Sequence, residues 1–147
     1  MFYLKKIKTG IIMKKSHITS GIITVLIHIF LVSVFLSCSN IETSKADKIF
    51  SLVNSGSDDL VIVDLRDVSE YNKGHIKGAV NIPYKEENFP ERISAIENKD
   101  KTAVFYCGQG VKTGKASGFI KKSSFKKKYI LEGGFLSWKN RDLEIVK

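Results

Sequence analysis

Thr102-Ala103-Val104-Phe105-Tyr106-Cys107-Gly108-Gln109-Gly110-Val111-Lys112-Thr113 carries three local instructions in one run. The first five residues are uncharged and rich in β-branched and aromatic side chains, as in a short strand buried on both faces. Gly108 and Gly110 then allow the backbone to curl so that successive N–H groups point inward, forming an anion-binding nest. From Thr113 to Ser124 the pattern turns helical, with Ala116, Phe119 and Ile120 expected inward. Gly114 and Gly118 each weaken that helix by about 1 kcal/mol against alanine. Strand, loop and helix in this order form the repeating unit of a parallel sheet, whose reactive groups gather at the carboxyl ends of the strands. Cys107 stands at such an end.

The rest of the chain repeats the alternation. Ser44-Lys45-Ala46-Asp47 reads as a helix start with Ser44 as N-cap. Ala46, Ile49, Phe50 and Val53 follow as one apolar stripe, and Asn54 to Asp59 stops it. Leu60-Val61-Ile62-Val63 is a second buried strand, and Ala79-Val80-Asn81-Ile82, closed by Pro83, is a third. Phe89 to Ile96 reads as a helix with Pro90 in its first turn, where a missing N–H costs nothing. Tyr129 to Leu131 is a further strand, Gly133-Gly134 a turn, and Phe135 to Lys139 a last helical segment. The expectation is an α/β fold in three layers, helices on both faces of a mostly parallel sheet of roughly five strands.

The loop after the central strand has a chemical sense of its own. A cysteine set among loop N–H groups, a helix N-terminus and Lys112 is favoured as thiolate, the form that acts as a nucleophile. The same cradle, from Gly108 to Thr113, holds an anionic substrate beside the sulfur. A lone cysteine after a core strand is more commonly a buried structural residue. Only the strand–Cys-Gly-x-Gly–helix setting turns the reading toward chemistry.

Residues 1–38 read as an address. Five lysines and no acid fall in this segment, and Ser16 to Asn40 is uncharged. A basic start, an apolar run to Leu36 and small residues at its end make a secretory signal, with Met13 as an alternative start to Met1. The close of the run, Phe35-Leu36-Ser37-Cys38, resembles a bacterial lipoprotein signal, in which the cysteine is lipidated and becomes the mature N-terminus. Ile18 to Ser37 also has the length of a membrane-spanning helix, and that alternative stays open. Either reading anchors the domain to a membrane from the extracytoplasmic side. Residues 39–45 are short and polar and read as a linker, leaving 46–147 as the domain.

Composition narrows the function further. The 147 residues hold 24 Lys+Arg against 15 Asp+Glu, a net of +9. Five of the bases lie in the signal, so the rest carries 19 − 15 = +4, and a nucleic-acid partner is not expected. Two cysteines exclude a disulfide scaffold or a four-cysteine zinc site. His17 and His28 lie in the signal and leave His75 alone, so neither a catalytic metal nor a cofactor is expected. His75 itself reads as a structural hydrogen-bonding residue, and Lys126 to Lys128 as a solvated turn.

From about Ser44 to Lys139 the chain resembles a single rhodanese-like domain, on four landmarks in order. These are Val61-Ile62-Val63-Asp64-Leu65-Arg66 with Glu70-Tyr71, the run from Gly74-His75-Ile76 to Pro83, the loop Cys107 to Lys112, and Leu131-Glu132-Gly133-Gly134-Phe135-Leu136-Ser137-Trp138. The resemblance implies a sulfurtransferase. Cys107 would take sulfur from a small sulfur-containing anion such as thiosulfate or mercaptopyruvate, carry it as a persulfide, and pass it to cyanide or to a thiol, a protein thiol included. Gly108, Gln109, Gly110, Val111 and Thr113 would line the cradle, with Lys112 as its cation. Relatives that hydrolyse phosphate esters use a loop one residue longer ending in arginine, so the six residues ending in Lys112 disfavour that chemistry. Asp64 and Arg66 stand on the loop side of their strand as supports of the loop, or as an ion pair with Glu70 or Asp67. A non-catalytic binding module of the same fold is the alternative function.

Overall fold

Five strands, all parallel, form one sheet in the order β1-β5-β4-β2-β3: β1 Ile41–Ser44, β2 Leu60–Asp64, β3 Ala79–Asn81, β4 Thr102–Tyr106 and β5 Lys127–Leu131. The structure is a computed structural model that describes residues 41–96 and 99–147, all within the compact unit Ser39–Lys147. Cys38 and the signal reading of residues 1–38 lie outside the described residues. Among the described residues no helix is long and apolar enough to cross a membrane.

The helices are α1 Ala46–Asn54, α2 Val68–Asn72, α3 Phe89–Ile96, α4 Val111–Lys122 and α5 Gly134–Lys139. The two-residue period of β4 sorts them into layers. Val104 and Tyr106 pack with Ala46 and Ile49 of α1 and with Phe135 and Trp138 of α5. Ala103 and Phe105 point the other way, to Phe89 and Ile93 of α3 and to Ala116 and Ile120 of α4. The three-layer α/β fold expected from the sequence is the one found.

Several local expectations are corrected. The segment read as a linker contains β1, which pairs with β5 through Ile41–Lys128 and Ser44–Leu131. An edge strand of four residues with Glu42 and Thr43 exposed has no apolar run to announce it. Residues 41–45 therefore belong with the domain read from residue 46 onward. Ser44 is buried in that strand, and Lys45, without a side-chain bond, takes the N-cap position of α1. Phe119 is half-exposed and meets Phe89 edge-on, with ring centroids 6.0 Å apart. Lys128, expected in a solvated turn, is 1% exposed within β5. Its Nζ donates to the Lys121 carbonyl at 3.1 Å, where the end of α4 offers unsatisfied oxygens to a cation. Helix α2 was not foreseen: five residues are too few for a periodic stripe. A capping box, Asp67 with Glu70, holds it.

Candidate active site

The alternation of β4 continues one residue past its end. Cys107 follows Ala103 and Phe105 onto the α3–α4 side, which buries its side chain to 2% exposure. The chain then turns through Gly108-Gln109-Gly110 into α4. Gly110 is left-handed (φ 91°) and occupies the N-cap position. That conformation, which a glycine adopts without strain, turns its N–H onto Cys107 Sγ at 3.2 Å. Thr113 is fully buried one turn into α4, its Oγ1 donating to the Gly110 carbonyl at 2.7 Å and lying 3.8 Å from Sγ. Sulfur, loop donor and helix N-terminus are thus brought together in one loop. Gln109 and Val111 are exposed on the outside of the turn, Val111 at 63%.

Lys112 departs from its expected role. Its Nζ lies 3.3 Å from Asp67 Oδ1 and 3.6 Å from Glu70 Oε2, so two carboxylates share its charge. Both acids come from the capping box of α2, an element the sequence did not reveal. The partners the sequence offered to Arg66, Glu70 and Asp67, bind Lys112 instead. With that charge already shared and partly solvated, we expect Lys112→Ala to lower kcat/KM for an anionic donor only about two- to fivefold, read by steady-state kinetics.

Arg66 pairs with Asp64, two residues before it and equally buried. Asp64 accepts the Arg66 backbone N–H at 2.9 Å, Nε at 2.9 and 3.0 Å, and Nη2 at 2.5 Å. Nη2 also donates to the Gly74 carbonyl at 2.8 Å, and the guanidinium lies 3.9 Å above the Phe135 ring. Burial works against the cation, but the bonds and charge of Asp64 outweigh it and hold Arg66 above its ordinary value. Asp64→Asn keeps the shape and removes the charge. We expect a loss of about 2–3 kcal/mol, the worth of a charged hydrogen bond in a buried pair, measured by denaturant unfolding.

The loop is fastened from above by the Glu132-Gly133-Gly134 turn. Phe135 N–H donates to the Cys107 carbonyl at 2.7 Å and Leu136 N–H to the Gly108 carbonyl at 2.9 Å. The sequence marked this stretch as a motif without showing what it touches. His75 behaves as a structural residue: its Nδ1 is 3.1 Å from the Tyr71 carbonyl and its ring stacks on Tyr71 at 3.8 Å. It also exchanges backbone hydrogen bonds of 2.9 Å with Val146, which brings the C-terminal segment alongside.

A parallel α/β domain that sets one cysteine in a glycine loop at the mouth of a helix defines a small class of proteins. The profile of the rhodanese-like domain matches residues 47–141, and the chain belongs to that family. Among curated proteins, the tRNA uridine(34) hydroxylase of Enterobacter sp. (strain 638) is 36% identical over 89 residues, covering 58% of this chain and 26% of that protein. That of Photorhabdus laumondii is 31% identical over 108 residues, covering 70% and 30%. The chain thus spans less than a third of the length of these relatives. Among solved structures, the Alr3790 protein of Anabaena sp. superposes with a TM-score of 0.62 at 29% identity, covering 70% of this chain and 81% of that one. A Rhodopseudomonas palustris protein described as a possible tyrosine phosphatase gives 0.58 at 28%, covering 75% and 88%.

Proposed function

We propose that this domain is a sulfurtransferase that moves a sulfane sulfur through a persulfide on Cys107. The observation that carries the reading is the Gly110 N–H directed onto Sγ at 3.2 Å inside a loop that opens α4. In the first step the Cys107 thiolate attacks the outer sulfur of a donor such as thiosulfate, whose S–S bond breaks and releases sulfite with the bonding pair. Mercaptopyruvate is a second donor: attack of the thiolate on its sulfur breaks the C–S bond, and the bonding pair leaves with pyruvate as its enolate, which is then protonated. In the second step cyanide or a thiolate attacks the outer sulfur of the persulfide, and the Sγ–S pair returns to Cys107. Neither step needs a metal or a cofactor. From Cys107 to Lys112 the loop has six residues and ends in lysine, one residue shorter than the arginine-ended loop of the relatives that hydrolyse phosphate esters. That is the argument against the phosphatase reading named for the Rhodopseudomonas protein. Hydroxylation, named for relatives that extend far beyond the matched segment, forms no part of the proposal.

The test is the intact mass of the purified domain after thiosulfate treatment. A gain of about 32 Da, one sulfur, that is discharged by cyanide or dithiothreitol supports the proposal. No gain with either donor favours the non-catalytic binding module.

The proposal extends to place. The support is sequence alone: Met13-Lys14-Lys15, the apolar run, and Ser37 before Cys38. We read Cys38 as lipidated and the domain as anchored to a membrane outside the cytoplasm. Two or more acyl chains hold firmly, since each buried CH₂ contributes about 0.8 kcal/mol and one chain alone is marginal. Labelling cells with an alkyne fatty acid should mark the wild type and leave Cys38→Ala unmarked. An unlabelled protein that retains its full-length mass establishes the transmembrane alternative instead.

A further inference from the structure

Beside the loop lies a groove of about 380 Å³, and the outer wall of the loop, Gly108 and Gln109, is also a wall of this groove. Cys107 does not line it. The groove therefore has room for the part of a ligand that extends away from the sulfur. Its floor holds the Arg66 guanidinium, already matched by Asp64. One side carries Glu70, whose carboxylate is matched by Lys112. The remaining charges are Lys73, at the end of α2, and Lys139, at the end of α5. Neither has an acidic partner among the described residues. Leu136 and Ile145, 45% and 41% exposed, supply an apolar stretch in the same groove.

Resting on the sulfurtransferase reading, we infer that this groove seats the sulfur acceptor, a thiol carried on a short apolar-acidic peptide segment. Complementarity of charge and polarity selects the occupant. A cationic ligand would find its only carboxylate already occupied, and a purely apolar one would leave two lysines without use. An acidic segment satisfies both lysines while its apolar residue covers Leu136 and Ile145. The thiolate at its end reaches over Gly108–Gln109 to the persulfide. The pocket volume lies at the small end of the range for bound ligands, which suits a segment of two or three residues. Transfer balances without an outside oxidant or reductant: the acceptor thiolate bonds the outer sulfur, the Sγ–S bond breaks, and its electron pair stays on Cys107.

The test uses preformed persulfide, quantified by mass before each run, and three acceptors: Ac-Cys-Gly-Leu-Glu-Glu, its Gln-Gln form and its Lys-Lys form. We expect kcat/KM to fall in that order, by about tenfold from first to last at low salt, as two exposed ion pairs would give. In the Lys73→Ala, Lys139→Ala double variant the three should converge, as they should for the wild type in about 1 M salt, where the screening length is near 3 Å. Because differences in thiol reactivity are shared by wild type and variant, only the change in the ratio is read. Persulfide discharged at rates blind to peptide charge overturns this inference and leaves sulfur transfer standing. The same lysine dependence with 3-mercaptopropionate, too short to span the groove, overturns the peptide assignment. Absence of persulfide at the outset overturns both readings.

Discussion

Cys107→Ser should abolish sulfur transfer, with no mass gain after thiosulfate and activity at least about 10³-fold below the wild type. The reason is chemical rather than structural. Serine is close in shape, and with the backbone retained its shorter Cβ–Oγ bond sets the hydroxyl just short of the sulfur position that lies 3.2 Å from the Gly110 N. A hydroxyl is far less nucleophilic than a thiolate, and it has no counterpart to the persulfide that carries the sulfur between the two half-reactions. The fold should survive the change, because Cys107 packs as one small side chain among Phe105, Ala116 and their neighbours. Thermal unfolding within a few degrees of the wild type, together with lost transfer, is therefore the expected pair of results. Wild-type rates in Cys107→Ser would show that the sulfur passes elsewhere.

Gly134→Ala should damage fold and site together. A Cβ on Gly134 would lie 2.3 Å from the Cys107 carbonyl oxygen and 2.9 Å from both Gln109 N and Gly108 C. All three are backbone atoms of the Cys107 loop, so no side-chain rotation relieves the overlap. The residue is also left-handed, φ 61°, which adds about 1–2 kcal/mol for any residue with a Cβ. Overpacking contributes typically 1–3 kcal/mol more, and the loop must shift away from α5. Its hydrogen bonds from Phe135 and Leu136 then stretch or break. We expect a loss of about 3–5 kcal/mol, a fall in melting temperature of roughly 15–30 °C, and transfer activity reduced at least tenfold in whatever folds. Gly133→Ala is the control. It shares the left-handed backbone, φ 69°, but its added Cβ meets only the Ser137 side chain, Cβ at 3.0 Å and Oγ at 3.4 Å. It should cost about 1–2 kcal/mol and leave the loop in register.

The fold was legible where apolar residues recur with a clear period. β4 is an uncharged run of β-branched and aromatic residues, and β2 is apolar and β-branched up to Asp64; both lie inside the sheet, where both faces must be buried. α1 and α3 carry full apolar stripes. The elements that escaped are those whose stability comes from one side or from their ends. β1 pairs along one edge only, α2 is a single capped turn, and Lys128 reads as solvent-facing until α4 places its carboxyl end over it.

The candidate site divides along the same line. Cys107 with its Gly-x-Gly turn was visible because covalent neighbours make the nest: glycine frees the backbone, and the following helix begins within the same loop. Lys112, Arg66 and Gly134 were visible as residues but not as roles, because each role depends on an element distant in sequence. Asp67 and Glu70 reach Lys112 from 45 and 42 residues upstream because β2 lies beside β4. Gly134 meets Cys107 because β5 lies on the other side of β4 and sends its turn over the strand ends. Local conformation follows from near neighbours, so the sequence alone determined that a cysteine would be cradled. Charge partners and steric supports are set by which strands adjoin, and only the tertiary structure decided those.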